Sequence, residues 1–249
     1  MEVHDNPPKY GITLNRVGVT NLEYPVKIQR GNKEVVVIVR IKASVDLPPN
    51  QKGAHMSRFI EEIEETSNVL LRTSGIEDLA QMLAEKQLGK HPYARSAVVE
   101  LKTKAHLGNR VYTLTGSYDT GTGVRRVGVS VEGSLACPCA MELTGGLSHN
   151  QRGRLTIEVG TNTRSVDAED LVEIANKSFS SPLSLKLKKP DEKALVERMH
   201  KNPMFVEDVV RRCVHLLRGK YRGCYASVLC VSYESIHPFD VFAQWEGVL

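Results

Sequence analysis

The 249-residue sequence has no stretch approaching the roughly 18 apolar residues that a membrane-spanning helix needs. Its best candidate, Val35–Val39, stops at Arg40. Near the start, Glu2 and Asp5 have no apolar core behind them, unlike a secretory leader, so the chain is expected to be cytoplasmic, with no membrane partner. Cysteine is sparse and odd in number. Cys137, Cys139, Cys213, Cys224 and Cys230 do not make the disulfide framework of a secreted domain, and reduced thiols are expected. A dense basic stripe is also missing. The 33 Lys and Arg against 29 Asp and Glu leave a formal charge of +4, dispersed in small clusters such as Lys186, Lys188 and Lys189. That argues against a nucleic-acid partner and suits a small anionic ligand. What remains is an ordinary globular composition, 41% hydrophobic and 25% charged. A chain this long can bury roughly 70% of its unfolded surface, so it needs no disulfide staples.

Periodicity sets the expected organisation. Residues 34–46 (EVVVIVRIKASVD) are β-branched, alternate in part and end at Pro48-Pro49, which predicts one strand before the first helix. Ser57 to Arg72 places Phe59, Ile60, Ile63, Val69, Leu70 and Leu71 on one face of a helix, and Ile76 to Leu88 repeats the period after Ser74-Gly75. Ala94 to Ala105 and Arg110 to Tyr118 read as two strands joined at Gly108-Asn109. The second half predicts strands at Val124 to Gly133, Arg154 to Gly160, Tyr225 to Tyr233 and Val241 to Trp245. Its helices are expected at Ala168 to Ser178, near Glu192 to Met199, and at Val206 to Arg218. The plan is ββααββ twice, in modules 1–121 and 122–249, without internal sequence identity. This ordering predicts an α+β class with antiparallel sheets and helices on one face.

The densest chemistry lies in Ala136 to Arg152, ACPCAMELTGGLSHNQR, expected to form a polar loop between strands. Cys137-Pro138-Cys139 is too tight for a zinc-knuckle pair, and no second pair exists to close a four-cysteine site. One thiolate with His149 and a further carboxylate or imidazole would instead form an open metal site that keeps a water; an inert apolar turn is the plainer alternative. Glu234 and His237 fall at a hairpin mouth between two apolar strands. Glu192 and Glu207 each stand at a helix start, where an acid is favoured by the helix dipole alone. Lys52-Gly53-Ala54-His55-Met56-Ser57-Arg58 groups Lys52, His55 and Arg58 before a helix, chemistry suited to phosphate or simply to a solvated helix start.

In order and approximate spacing, five of these motifs resemble the type IB GTP cyclohydrolases. They are Lys52 to Arg58, Cys137-Pro138-Cys139, His149-Asn150-Gln151-Arg152, Asn202 to Asp208 and Glu234-Ser235-Ile236-His237; the early Arg16-Val17-Gly18-Val19-Thr20-Asn21-Leu22 fits as well. The likeness spans nearly the whole chain. It implies tandem tunnelling-fold modules whose sheets close into a barrel on oligomerisation, a homotetramer, and sites at subunit interfaces. It also implies one divalent metal, Fe(II), Zn or Mn(II), and opening of the imidazole ring of GTP at C8 with loss of formate. The product would be a 7,8-dihydroneopterin phosphate, triphosphate or 2′,3′-cyclic, on the way to folate or methanopterin. By the same resemblance Cys137, His149, His237 and Glu192 are metal-site residues, Glu234 supports His237, and Glu207 anchors guanine. Lys52, His55, Arg58 and Arg152 are candidates for the triphosphate. His200 to Phe205 leans toward the archaeal branch, and Phe239 stands where the family often carries a second histidine. The alternatives are an enzyme of this fold acting on another purine or pterin, and a non-catalytic nucleotide- or metal-binding module.

Overall fold

The computed structural model of the chain describes residues 3–30, 33–67 and 75–249. Two compact units divide it: one runs to Thr103 and takes in Thr115–Val127, the other comprises Lys104–Leu114 and Gly128–Leu249. Among the described residues no helix is long and apolar enough to cross a membrane.

The first unit opens with β1 (Leu14–Arg30) and β2 (Lys33–Leu47), an antiparallel pair continued by β3 (Ala97–Leu107) on the other side of β2. Between β2 and β3 come α1 (Met56–Ser67) and α2 (Ile76–Lys90); β4 (Arg110–Asp119) follows β3 through a turn at Gly108, φ 57°. Val39, Ile41, Ala43 and Val45 of β2 point inward while Arg40 and Lys42 point out, the period of a half-buried strand. They share a core with Phe59 and Ile63 of α1, and Leu79 and Leu83 of α2. The expected ββααββ order holds here, while the expectation of a single strand before the first helix is corrected. Two strands precede the first helix, because β1 hides its alternation: its register slips between Val19 and Leu22, where Asn21 takes φ 57°. Val69, Leu70 and Leu71 lie outside the described residues.

The second unit departs further from the expected plan. After β5 (Val124–Ala136) comes a short helix, α3 (Pro138–Thr144), then β6 (Asn150–Thr161), α4 (Ala168–Ser178) and the two-residue β7 (Ser181–Pro182). The chain continues through α5 (Lys189–Lys201), α6 (Val206–Lys220), β8 (Tyr225–Ser232) and β9 (Val241–Val248). The expected polar loop from Ala136 to Arg152 is therefore corrected to helix, turn and strand. Pro138 occupies the first helical position, where its missing N–H and fixed φ are favourable. β6 pairs β8 and β8 pairs β9, all antiparallel, with Leu155 opposite Cys230 and Val228 opposite Trp245. Helices α4 and α6 pack on these strands, burying Leu171, Ala175, Val209, Cys213 and Leu217 against Leu155, Ile157, Ala226 and Val228. By contrast α5 buries only Met199, whose Sδ receives the Ser134 hydroxyl at 2.8 Å.

Gly133 on β5 lies beneath the Phe179 ring, buried at the end of α4; a Cβ at that position would fall 2.1 Å from the ring Cγ. Overpacking of this kind costs about 1–3 kcal/mol. Gly133→Ala should lower unfolding free energy by that amount in urea titrations followed by circular dichroism; an unchanged midpoint would show that the ring yields freely.

Candidate active site

In the second unit, the end of β5 is held by backbone contacts from two directions. The Met204 N–H donates to the Ala136 carbonyl at 3.0 Å, and the Cys137 N–H donates to Ser148 Oγ at 2.8 Å and to the His149 carbonyl at 3.4 Å. The Ser148 hydroxyl lies 3.0 Å from the Cys137 carbonyl and 2.6 Å from that of His149. Cys137 thus becomes the N-cap residue of α3, with extended backbone angles, and α3 closes at Gly145, φ 72°. Glycine tolerates that left-handed turn, which sends the chain back toward His149.

The loop before α6 is tied down by Asn202. Its Nδ2 donates to the Phe179 and Ser180 carbonyls at 3.2 and 3.3 Å, while its Oδ1 accepts from Arg212 Nη2 at 3.1 Å. The Asp208 carboxylate accepts the Phe205 N–H at 3.2 Å and fixes the first turn of α6, where Glu207 stands exposed. Between β8 and β9, Glu234 Oε1 receives the Ser232 hydroxyl at 2.8 Å and Gln151 Nε2 at 3.3 Å. His149 Nδ1 lies 3.2 Å from Ser235 Oγ, and the His237 ring stacks on Phe239, centroids 5.1 Å apart at 4°.

These segments enclose a cavity of about 760 Å³. Cys137, Cys139, His149, Glu207, Glu234 and His237 line it, among apolar walls from Leu143, Phe205, Ile236, Phe239 and Phe242. A largely apolar cleft of this size with a few convergent polar groups is the form of a small-molecule site. A thiol with two imidazoles is a donor set suited to Zn(II) or Fe(II). Among the described residues, however, no group of three or more His, Cys, Asp or Glu converges closely enough to hold an ion.

Five of the expected site residues therefore share one cavity: Cys137, His149, Glu207, Glu234 and His237. Glu192 does not line it and stands exposed on α5. Arg152 is exposed and paired with Glu132 at 3.4 Å. In the first unit, His55 is buried, with Nε2 3.1 Å from Asp5 and its N–H donated to Tyr93 Oη at 3.3 Å. Arg58 donates to the Lys90 carbonyl at 3.1 Å, and Lys52 is exposed. The sequence does not mark Ser148 or Phe242, places Ser235 and Phe205 only inside longer motifs, and marks Phe239 only as the position where the resembled family often carries a second histidine.

Comparison with known proteins gives a consistent result. The family described as type I GTP cyclohydrolase folE2 matches residues 1–243. GTP cyclohydrolase MptA of Pyrococcus furiosus is 35% identical, covering 98% of this chain and 98% of its own. GTP cyclohydrolase FolE2 of Caldicellulosiruptor saccharolyticus is 35% identical over 99% and 98% of the two chains. Among solved structures, uricase from Arthrobacter globiformis superposes with a TM-score of 0.51 at 8% identity, covering 94% of this chain and 93% of that one. That likeness concerns the fold alone: an α+β, tunnelling-fold-like arrangement of antiparallel strands and helices.

Burial pushes the Cys213 and Cys230 thiols up to about 12, and Cys224 is also buried, whereas Cys137 is half-buried and Cys139 exposed. The thiolate is the reactive form. In native protein at pH 8 an aromatic disulfide reagent should titrate Cys137 and Cys139 promptly, and the other three only in denaturant. Equal labelling of Cys213 in native protein would contradict the packing.

Proposed function

The chain belongs to the type I GTP cyclohydrolase folE2 family, and from that premise we propose that the Cys137 cavity binds GTP and opens its imidazole ring at C8. The observation that carries this reading is the convergence of Cys137, His149, Glu207, Glu234 and His237 on one cavity, from four separate stretches of chain. The family's relatives are named GTP cyclohydrolases throughout those reported above, with near-complete mutual coverage.

The cavity's donor types suit Fe(II) or Zn(II), Mn(II) belonging to the reading on the family resemblance, and Cys137, His149 and His237 are the side chains that would have to draw together to hold such an ion. Such an ion supplies activation of water at neutral pH. Glu192 belongs to the proposed set on the family resemblance. Because α5 exposes Glu192, assembly into a homotetramer is the part of the reading that would bring this carboxylate to a cavity.

The remaining roles follow from the chain's own groups. One carboxylate can accept two hydrogen bonds from adjacent donors, so Glu207 suits the N1–H and exocyclic amine edge of guanine. Adenine presents no such pair. Phe205, beside Glu207, and Phe242 offer apolar surface to a purine face. Addition of water at C8 and rupture of the C8–N9 bond require a proton at N9, and release of formate requires a second water and a proton at N7. An imidazole, whose ordinary pKa lies near the working pH, is suited to deliver them, and His149 and His237 both line the cavity. Glu234, held by Ser232 and Gln151, is the fixed carboxylate beside that pair. Arg152, Lys52, His55 and Arg58 are the proposed triphosphate partners, and the product is a 7,8-dihydroneopterin phosphate, triphosphate or 2′,3′-cyclic.

Anaerobic incubation of the full chain with GTP and each of Fe(II), Mn(II) and Zn(II) should release formate and give a pterin that fluoresces after oxidation, its phosphate form read by mass. Cys137→Ala should abolish formate release while leaving the circular dichroism spectrum intact; full turnover in that variant removes the thiol from the mechanism. GTP bound for hours without loss would favour a binding module.

Glu207→Gln exchanges a charged acceptor for a neutral amide that can accept only at one end. Hydrogen bonds to charged groups are worth about 1.5–3 kcal/mol, so kcat/KM for GTP should fall roughly tenfold to a hundredfold. A variant with wild-type kcat/KM would place guanine elsewhere.

A further inference from the structure

The two imidazoles of the cavity are held differently, and the hold on His149 has a consequence for which of its nitrogens can work. Its backbone carbonyl receives the Cys137 N–H and the Ser148 hydroxyl, so the residue's main chain is fixed beside Cys137. Its ring is then oriented by Nδ1, 3.2 Å from Ser235 Oγ. Ser235 is itself well placed by its neighbours. The Tyr233 N–H donates to the Arg152 carbonyl at 2.9 Å, and Glu234 is gripped by Ser232 and Gln151. The loop that carries Ser235 is thus tied to β6, the strand that begins one residue after His149.

In a neutral imidazole one nitrogen donates and the other accepts, and the partner of one nitrogen decides the state of the other. A serine hydroxyl can play either part. If it donates to Nδ1, the cavity meets an Nε2–H, which can neither take up a proton nor offer a lone pair. If it accepts from Nδ1–H, the Nε2 lone pair is available to the cavity that the ring lines.

We propose that Ser235 is a positioning residue whose Oγ accepts the Nδ1–H of His149, holding this ring in the Nδ1–H tautomer with the Nε2 lone pair presented to the cavity. The choice between the two arrangements rests on the function proposed above, since only the second leaves His149 a working nitrogen. Partners that orient a functional histidine in this way set both its tautomer and its ring plane, and their removal typically lowers metal affinity or activity about tenfold to a hundredfold.

The deciding measurement does not involve turnover. Long-range proton–nitrogen correlation spectra of the metal-free, substrate-free full chain can be recorded at about pH 8.5, above the ordinary imidazole range near 6.5. His149→Asn identifies the signals. The wild type should show His149 protonated at Nδ1 and bare at Nε2, and Ser235→Ala should lose that preference with an unchanged melting temperature. A proton on Nε2 in the wild type, or an identical tautomer in Ser235→Ala, overturns the proposal. Zn(II) titration supplies the second reading: affinity should fall about tenfold to a hundredfold in Ser235→Ala. It should return in Ser235→Thr, which restores the hydroxyl, and equal affinity in all three chains counts against Ser235. Failure of the wild type to consume GTP would sink the proposed function separately, while the tautomer and the Zn(II) series would still decide the role of Ser235.

Discussion

The site depends on how the backbone is gripped at Ala136 and Cys137. Strand β5 delivers these residues to the rim of its sheet, and three polar groups then fix them: the Met204 N–H on Ala136, and Ser148 Oγ with the His149 carbonyl on Cys137. Each partner belongs to a segment that carries a cavity residue of its own. Met204 precedes Phe205 and Glu207, and Ser148 precedes His149. Buried backbone groups must find partners, so the grip is a requirement of burial as much as of function. The same bonds that satisfy the peptide groups set thiol, imidazole and carboxylate around one space.

Helix α3 follows from this grip. Pro138 starts it, Gly145 ends it in a left-handed turn, and four residues later the chain has reversed far enough to bring His149 back to Cys137. Asn202 does the equivalent work on the other wall, satisfying two carbonyls at the end of α4 and holding the turn into α6. The third wall, between β8 and β9, is set by Glu234 and by the stack of His237 on Phe239. Glu234, His149 and His237 are therefore placed by neighbours that do not titrate, whereas Glu207 stands on a helical turn fixed by the Asp208 carboxylate.

Legibility from sequence followed the range of the forces involved. Helix α4 is read with its observed ends because its amphipathic period is a local signal, and the structure adds the Asp167 side chain capping the Glu169 N–H. The motif residues Cys137, His149, Glu207, Glu234 and His237 were legible as a set only through the family resemblance; composition and spacing alone left Glu207 indistinguishable from any acid in a first helical turn. Strand β1 was missed because Gly18, Asn21 and Pro25 interrupt its alternation, and its pairing with β2 is a tertiary fact. The helix at Pro138 was missed because a seven-residue element buries no residue and so leaves no apolar stripe. The aromatic walls come from residues that are 41%, 57% and 69% exposed, Phe205, Phe239 and Phe242, and no apolar periodicity distinguishes such positions from ordinary surface; only the family resemblance marks Phe205 and Phe239.

The likeness to uricase at 8% identity shows how little the scaffold asks of its side chains. Strands β6 and β8 need inward apolar residues at every second position, which many sequences provide. Function is set instead by what the connections add. On the proposed reading the division of labour in the cavity is physical. Phenylalanine walls attract any flat ring, because dispersion and apolar burial carry no directional information. Discrimination must then come from the one place where direction matters, the pattern of donors on the ring's edge opposite Glu207. A site that relied on its walls would accept every purine. One that adds a carboxylate at a fixed helix start makes each purine lacking the two donors leave that carboxylate stripped of water and unpaired, and a buried charge left unpaired is the costlier error.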